Sequence, residues 1–219
     1  MQITIKKKIM PQIELTPNVR SLMRIFGLTT DDVRRPLMEF DLSLDIKPGQ
    51  ICFITGPSGT GKSVLLREIA AGFAAKDKLD INRIKLPETG ALIDRFNSAP
   101  SGLKALSRMG LSDVSAMLLP PALLSEGQKY RYRLARAIES GRPVIVADEF
   151  CSALDKVTAG LLCLKLRHIA DQTGLTFLLA GHSRGLMPDL LPDTIINVHS
   201  GGSVRLLYRE EGTDIYGGL

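Results

Sequence analysis

The sequence predicts an α/β fold, on three observations. Three short uninterrupted apolar runs, ICFIT (51–55), VIVA (144–147) and LTFLLA (175–180), have the composition of central strands covered on both faces. Helical patterns at 62–75, 127–139 and 156–171 alternate with them, which predicts that the three strands are parallel neighbours. A glycine-rich octapeptide, GPSGTGKS (56–63), joins the first run to the first helix, the context a phosphate-binding loop requires.

The elements follow in order. MQITIKKKIM at the amino terminus carries positive charge with no apolar stretch behind it, so it does not read as a secretory leader. MEFDLSLDI (38–46) alternates apolar and polar residues with the period of a half-buried strand, and Pro48-Gly49 turns it into the run at 51–55. Leu103, Leu106, Met109, Leu111 and Met117 recur at roughly helical spacing, which makes about 97–125 a short helical lobe inserted in the core. Gly174 is the expected stop of the helix at 156–171. TIINVHSGGSVRLLY reads as a hairpin turned by Gly201 and Gly202. With no internal repeat and no low-complexity tract, residues 1–219 read as a single domain.

Composition narrows the classes. A chain of 219 residues, 44% hydrophobic, can bury a real core, and its net charge of +5 favours anionic partners such as nucleotides or nucleic acid. Three cysteines, Cys52, Cys151 and Cys163, have neither disulfide nor metal-ligand spacing, which fits a reducing cytoplasm. No apolar run approaches eighteen residues, and AMLLPPALL is broken by Pro120 and Pro121, so direct membrane insertion is not expected.

Three segments carry chemistry. In Gly56, Pro57, Ser58, Gly59, Thr60, Gly61, Lys62 and Ser63, the glycines let backbone N–H groups curl round a phosphate while the following helix adds its amino-terminal partial charge. Lys62 is expected to reach the β- and γ-phosphates and Ser63 to ligate Mg²⁺. VIVADEF (144–150) ends an apolar strand in two adjacent carboxylates. Strand alternation sends them different ways, Asp148 to the metal and Glu149 to the attacking water. The run at 175–180 ends in Gly181-His182-Ser183, which sets His182 at the carboxyl edge of the sheet, where open α/β folds bind ligands.

The chain thereby resembles an ATP-binding cassette (ABC) ATPase. GPSGTGKS resembles the Walker A loop, VIVADE the Walker B strand, LSEGQ (124–128) the signature motif, SALD (152–155) the D-loop, and His182 the switch histidine. The wording DEFCSALD is similar, more narrowly, to small soluble ABC ATPases joined to a predicted acetyltransferase domain. The resemblance implies a P-loop NTPase core of ABC type, with an amino-terminal antiparallel β subdomain and the inserted helical lobe. It also implies ATP and Mg²⁺ as cofactors, and a homodimer that sandwiches ATP. Ser125, Gly127 and Gln128 of one subunit would then face the other's Walker A loop, and Asp155 would join the composite site.

The chain departs from that pattern at several points. Glu126 replaces the signature's first glycine and brings a carboxylate near a triphosphate. Phe150-Cys151 replaces the usual Pro-Thr after Walker B. No glutamine lies between Gln50 and Gln128, so the Q-loop residue is missing. RIKLPE (83–88) is expected to occupy that strand end, with Glu88 as the substitute metal contact. Phe26 is the best match for an adenine-stacking aromatic, and a core position is the alternative. Tyr130, Tyr132 and Arg133 on the helix after the signature leave a nucleic-acid role open. The expected function is Mg²⁺-dependent ATP hydrolysis that drives a partner. An ATP-gated nucleic-acid module and a transporter ATPase subunit remain as alternatives.

Overall fold

The structure is a computed structural model that describes residues 1–209; residues 210–219 of the expected single domain lie outside that range. In chain order the elements are β1 (Gln2–Ile9), α1 (Pro17–Phe26), α2 (Thr30–Val33), β2 (Met38–Asp45), β3 (Ile51–Thr55), α3 (Lys62–Ala71), β4 (Lys78–Asp80), α4 (Ala99–Arg108), α5 (Val114–Leu118), α6 (Glu126–Glu139), β5 (Val144–Ala147), α7 (Lys156–Thr173), β6 (Thr176–Ala180), α8 (Met187–Leu190), β7 (Thr194–Val198) and β8 (Val204–Tyr208).

A six-stranded sheet in the order β4-β5-β6-β3-β7-β8 forms the centre. All its pairings are parallel except that of β7 with β8, the predicted hairpin, where Gly201 and Gly202 take φ of 78° and 89°. The three apolar runs hold β3, β5 and β6, adjacent and parallel as expected, and every residue of these three strands is buried. Helices cover both faces, which is why these runs lack alternation. On one face α6, α7 and the helical lobe pack against Phe53, Ile145 and Phe177. On the other, α3 and a separate antiparallel ribbon of β1 and β2 pack against Cys52, Ile54 and Leu178.

The ribbon pairs from Gln2↔Asp45 to Ile9↔Met38. Strand β2 follows its sequence pattern, with Phe40, Leu42 and Leu44 buried and the residues between them exposed. The antiparallel β subdomain is therefore present, but in its partner strand Lys6, Lys7 and Lys8 are exposed and only Ile3 and Ile5 are buried.

The helical lobe consists of α4, α5 and the short 3-10 turn at Pro121–Leu123. Leu106, Met109, Leu111 and Met117 are buried as predicted, whereas Leu103 is exposed. Helix α3 ends at Ala71, short of the predicted 75, with Gly72 as its carboxyl-terminal cap. Helix α7 runs to Thr173 and stops at Gly174 in the left-handed region, as expected of that glycine.

RIKLPE is not a strand end. Strand β4 stops at Asp80, a 3-10 turn covers Ile81–Arg83, and residues 84–90 are irregular. The parallel pairing of β4 with β5 supplies only three rungs before the chain leaves the sheet.

At the amino ends of the strands, Arg167 of α7 is the hub of a polar cluster. It donates to Asp193 at 2.7 Å, to Asp171 at 2.5 Å and to the Gly49 carbonyl at 3.0 Å. Asp193 also accepts from the Ile51 backbone N–H at 2.7 Å and from Arg209 at 2.8 Å. One residue thus ties α7 to the starts of β3 and β7. All three cysteines are buried free thiols, and burial pushes the Cys52 thiol up to about 12.

Candidate functional site

The opposite edge, at the carboxyl ends of β3, β5 and β6, holds a cavity of about 330 Å³. Ser58, Gly59, Gly61, Lys62, Ser63, Asp148, Glu149 and His182 line it, so the structure brings together three segments far apart in the sequence.

The loop 56–61 owes its shape to glycines at φ of 147°, 78° and 91° (Gly56, Gly59 and Gly61), conformations that L-residues rarely reach. Space is as restrictive as φ at the two ends of the loop. A Cβ on Gly56 would sit 2.2 Å from the Val198 carbonyl oxygen, and one on Gly61 2.4 Å from the Met38 sulfur. Thr60 is buried and donates its hydroxyl to the Pro57 carbonyl at 2.9 Å, tightening the turn. Gly56, Pro57 and Thr60 shape the loop without lining the cavity.

Lys62 begins α3, and its ammonium donates to the carbonyls of Gly56 at 2.9 Å and Pro57 at 2.7 Å. Two of its three N–H donors fix it over the loop, and one remains for an anionic oxygen. Burial pulls its pKa down, and the Asp148 carboxylate opposes that shift. An anion in the cavity would relieve the same desolvation cost.

The carboxylates depart from the expected alternation. Strand pairing ends at Ala147, and Glu149 turns into the left-handed region at φ 52°. Asp148 and Glu149 consequently line one cavity rather than pointing to opposite faces. Cys151 is left-handed too, at φ 60°, and such conformations cost about 1–3 kcal/mol each for non-glycine residues. The surroundings hold them in place. Asp148 Oδ1 accepts from the Glu149 N–H at 3.0 Å, Phe150 N–H donates to the Ala180 carbonyl at 2.7 Å, and Cys151 N–H donates to the Tyr130 hydroxyl at 3.2 Å. Phe150 is buried and meets Phe53 edge-on, 6.3 Å between ring centres. The departure Phe150-Cys151 is therefore the anchor that holds a strained carboxylate at the cavity wall.

Mg²⁺ keeps several waters and takes only one or two protein ligands beside phosphate oxygens. Ser63 and Asp148, both on the cavity wall, fit that demand. Glu88 does not join them. It is exposed on the irregular segment after β4, where the Pro87 carbonyl accepts from Ala122 N–H and Gly90 turns at φ 76°. No cluster of three metal-binding side chains exists among the described residues.

The signature residues form a second, separate structure. Ser125 is the amino-terminal cap of α6. Its hydroxyl accepts from Gln128 N–H at 3.3 Å, and the Gln128 side chain accepts from Ser125 N–H at 2.9 Å, closing a capping box. Glu126 pairs with Lys129 at 2.8 Å, and that contact lowers its pKa, so the foreign carboxylate has its own counter-ion. Gly127 admits close packing, since a Cβ there would lie 3.2 Å from the Ala153 carbonyl oxygen. Asp155 caps α7 by accepting from Thr158 N–H at 2.9 Å. None of Ser125, Gly127, Gln128 or Asp155 lines the cavity within one chain.

Two aromatic expectations change. Tyr130 and Tyr132 are buried, Tyr132 edge-on against Phe96, so they offer no stacking surface to nucleic acid. Phe26 is neither core nor cavity wall; it is exposed at the end of α1. Met38, at the start of β2, lines the cavity and was not singled out by sequence, because it reads there as an ordinary apolar strand residue.

Fold and cavity together define a P-loop fold of the ATP-binding cassette type. Residues 46–187 match the family described as AAA domain, and the chain belongs to that family. Among curated relatives, the methionine import ATP-binding protein MetN 2 of Salmonella typhimurium is 29% identical over 201 residues, covering 75% of this chain and 58% of that protein. MetN of Cereibacter sphaeroides is 31% identical over 202 residues, covering 75% and 56%. The chain thus spans little more than half the length of these relatives. Among solved structures, the dimeric post-hydrolysis state of the ATP-binding cassette MJ0796 bound to ADP and Pi superposes with a TM-score of 0.70 at 19% identity, covering 96% of this chain and all of that one. A bacterial Atm1-family ABC exporter with ATP bound gives 0.65 at 15% identity, covering 94% and 38%. These likenesses establish the fold. No helix among the described residues is long and apolar enough to cross a membrane.

Proposed function

We propose that the chain binds Mg²⁺-ATP in the cavity at the carboxyl edge of the sheet, closes head to tail on a second copy, and uses hydrolysis to reset a partner. The convergence of Lys62, Ser63, Asp148, Glu149 and His182 on one cavity carries this reading. Lys62 and the loop N–H groups hold the β- and γ-phosphates. Ser63 and Asp148 hold Mg²⁺, which neutralises phosphate charge. Glu149 accepts the proton of the attacking water, and His182 contacts the γ-phosphate. The capped amino terminus of α6, with Ser125 and Gly127, completes the other subunit's site, to which Gln128 contributes by fixing Ser125; Asp155 sits beside it.

Composite sites predict complementation. Lys62→Ala and Ser125→Arg chains, each inactive alone, regain partial ATPase activity when mixed, because one mixed dimer contains a site free of both lesions. Proven heterodimers without recovery would remove the head-to-tail arrangement.

The names of the relatives favour a transporter as the partner, and the DEFCSALD resemblance favours an acetyltransferase domain. Copurification from native membranes and from the soluble fraction separates these readings. The burial of Tyr130 and Tyr132 counts against nucleic acid.

A further inference from the structure

The excursion between β1 and β2 carries a helix whose apolar stripe is largely uncovered: Val19 and Met23 are half-buried, whereas Leu22, Ile25 and Phe26 are exposed. Helix α1 is well formed: Thr16 caps its start, Pro17 opens it, and Gly27 ends it in the left-handed region at φ 64°. Yet it buries no residue. Val19, Leu22, Met23 and Phe26 fall at i, i+3, i+4 and i+7, one apolar stripe, with Ile25 beside it. Ile25 and Phe26 are 73% and 68% exposed. An isolated helix of this length is marginal in water, and helices of this kind gain their stability from covering the apolar face.

The chain has a second uncovered apolar patch. Val114, Leu118, Leu119 and Leu123 of the helical lobe are exposed, Leu118 and Leu123 at 65% and 67%. The two patches do not cover each other within one chain, since both remain exposed. Each adjoins one half of the composite site. The excursion rises from the Ile9↔Met38 rung, and Met38 lines the phosphate-loop cavity. The lobe patch runs into Ser125 two residues after Leu123. Their charges are opposite: residues 15–28 contain Arg20 and Arg24 and no acid, and residues 111–125 contain Asp113 and no base, Glu126 just beyond being paired with Lys129.

We infer that α1 of one copy docks its Leu22, Ile25 and Phe26 stripe on the Val114–Leu123 tip of the second copy's lobe as the ATP-loaded dimer closes. The inference rests on the head-to-tail reading above. Twofold symmetry makes the contact twice, once beside each nucleotide. Closure then depends on this apolar clasp as well as on the γ-phosphate.

The test measures ATP-dependent dimerisation by sedimentation in a Glu149→Gln background, with nucleotide affinity followed separately on the monomer. Ile25→Asp and Leu118→Lys both alter exposed positions outside the cavity. Each is expected to weaken the dimer about tenfold or more, as loss of a buried interface anchor does, while monomer ATP affinity stays unchanged. Ile25→Arg is expected to weaken it likewise, and a chain carrying both Ile25→Asp and Leu118→Lys to be weakened less than the sum of the single effects, because the two residues share one contact. Additive effects, or a dimer indifferent to either lesion, overturn the clasp and leave head-to-tail closure standing. If the parent chain shows no ATP-dependent dimer, both fall.

Discussion

The two edges of the central sheet are built on opposite principles. At the amino ends of the strands, Arg167 and Asp193 pair with one another and bind the Gly49 carbonyl and the Ile51 N–H. At the carboxyl ends, Glu149 and Cys151 sit in left-handed conformations, Lys62 is buried with its pKa depressed, and the loop holds glycines that no side chain could replace without displacing Val198 or Met38. One edge uses charge to fix strands and helix; the other keeps charge and strain under local anchors such as Phe150. Strain concentrated where ligands bind, with paired charge elsewhere, is the pattern expected of a stable scaffold carrying a site.

The contrast breaks most visibly at Glu149. Glu149→Gln is expected to slow ATP hydrolysis by about two to four orders of magnitude with ATP binding retained; wild-type turnover in a single-turnover assay would remove Glu149 as the base. Next is Arg167→Ala, which cuts the link from α7 to the Gly49 carbonyl and leaves the half-buried Asp193 with Arg209 and the Ile51 N–H as its partners. We expect a loss of about 1.5–3 kcal/mol in urea unfolding, with unchanged ATP affinity; equal damage to ATP binding would show that the two edges are not independent. Lys62→Ala should do the reverse. ATP affinity by calorimetry is expected to fall about a hundredfold or more, while the melting temperature holds or rises, because a desolvated cation has been removed.

The smallest effect concerns Asp155. Its contact with Thr158 lowers its pKa, so its contribution to stability is present above the ordinary aspartate value, about 3.9, and is lost as pH falls through the lower folded one. The melting temperature of Asp155→Asn should lie slightly below that of the parent at pH 7, and the gap should narrow below about pH 4. A gap independent of pH would mean that the charge of the cap contributes nothing.

Much of this was legible in the sequence, for local reasons. Strands β3, β5 and β6 announce themselves because burial on both faces demands continuous apolar runs, and GPSGTGKS because its glycines serve geometry that few other residues reach. The Arg167–Asp193 pair was not legible, since its partners meet only when α7 packs against the starts of β3 and β7. Glu88 misled because an apolar segment ending in Pro-Glu resembles a strand end, whereas β4 has only three rungs. Tyr130 and Tyr132 read as surface features of a basic helix, but that helix buries alternate residues against the lobe and the Cys151 turn. Helix α1 carried its signals, Thr16-Pro17 and Gly27, in a stretch where Leu22, Ile25 and Phe26 have no core to meet.

The three buried thiols have a practical side. Burial holds the Cys52 thiol, and a hydrogen bond with Cys163 together with burial holds the Cys151 thiol, in the protonated, unreactive form, and Cys163 is fully enclosed. A cysteine introduced on the surface, for instance on α1 or the lobe tip, is then the one position that takes up a maleimide dye in the folded chain. Distances between two copies can be read by fluorescence without first stripping the protein of its own sulfur.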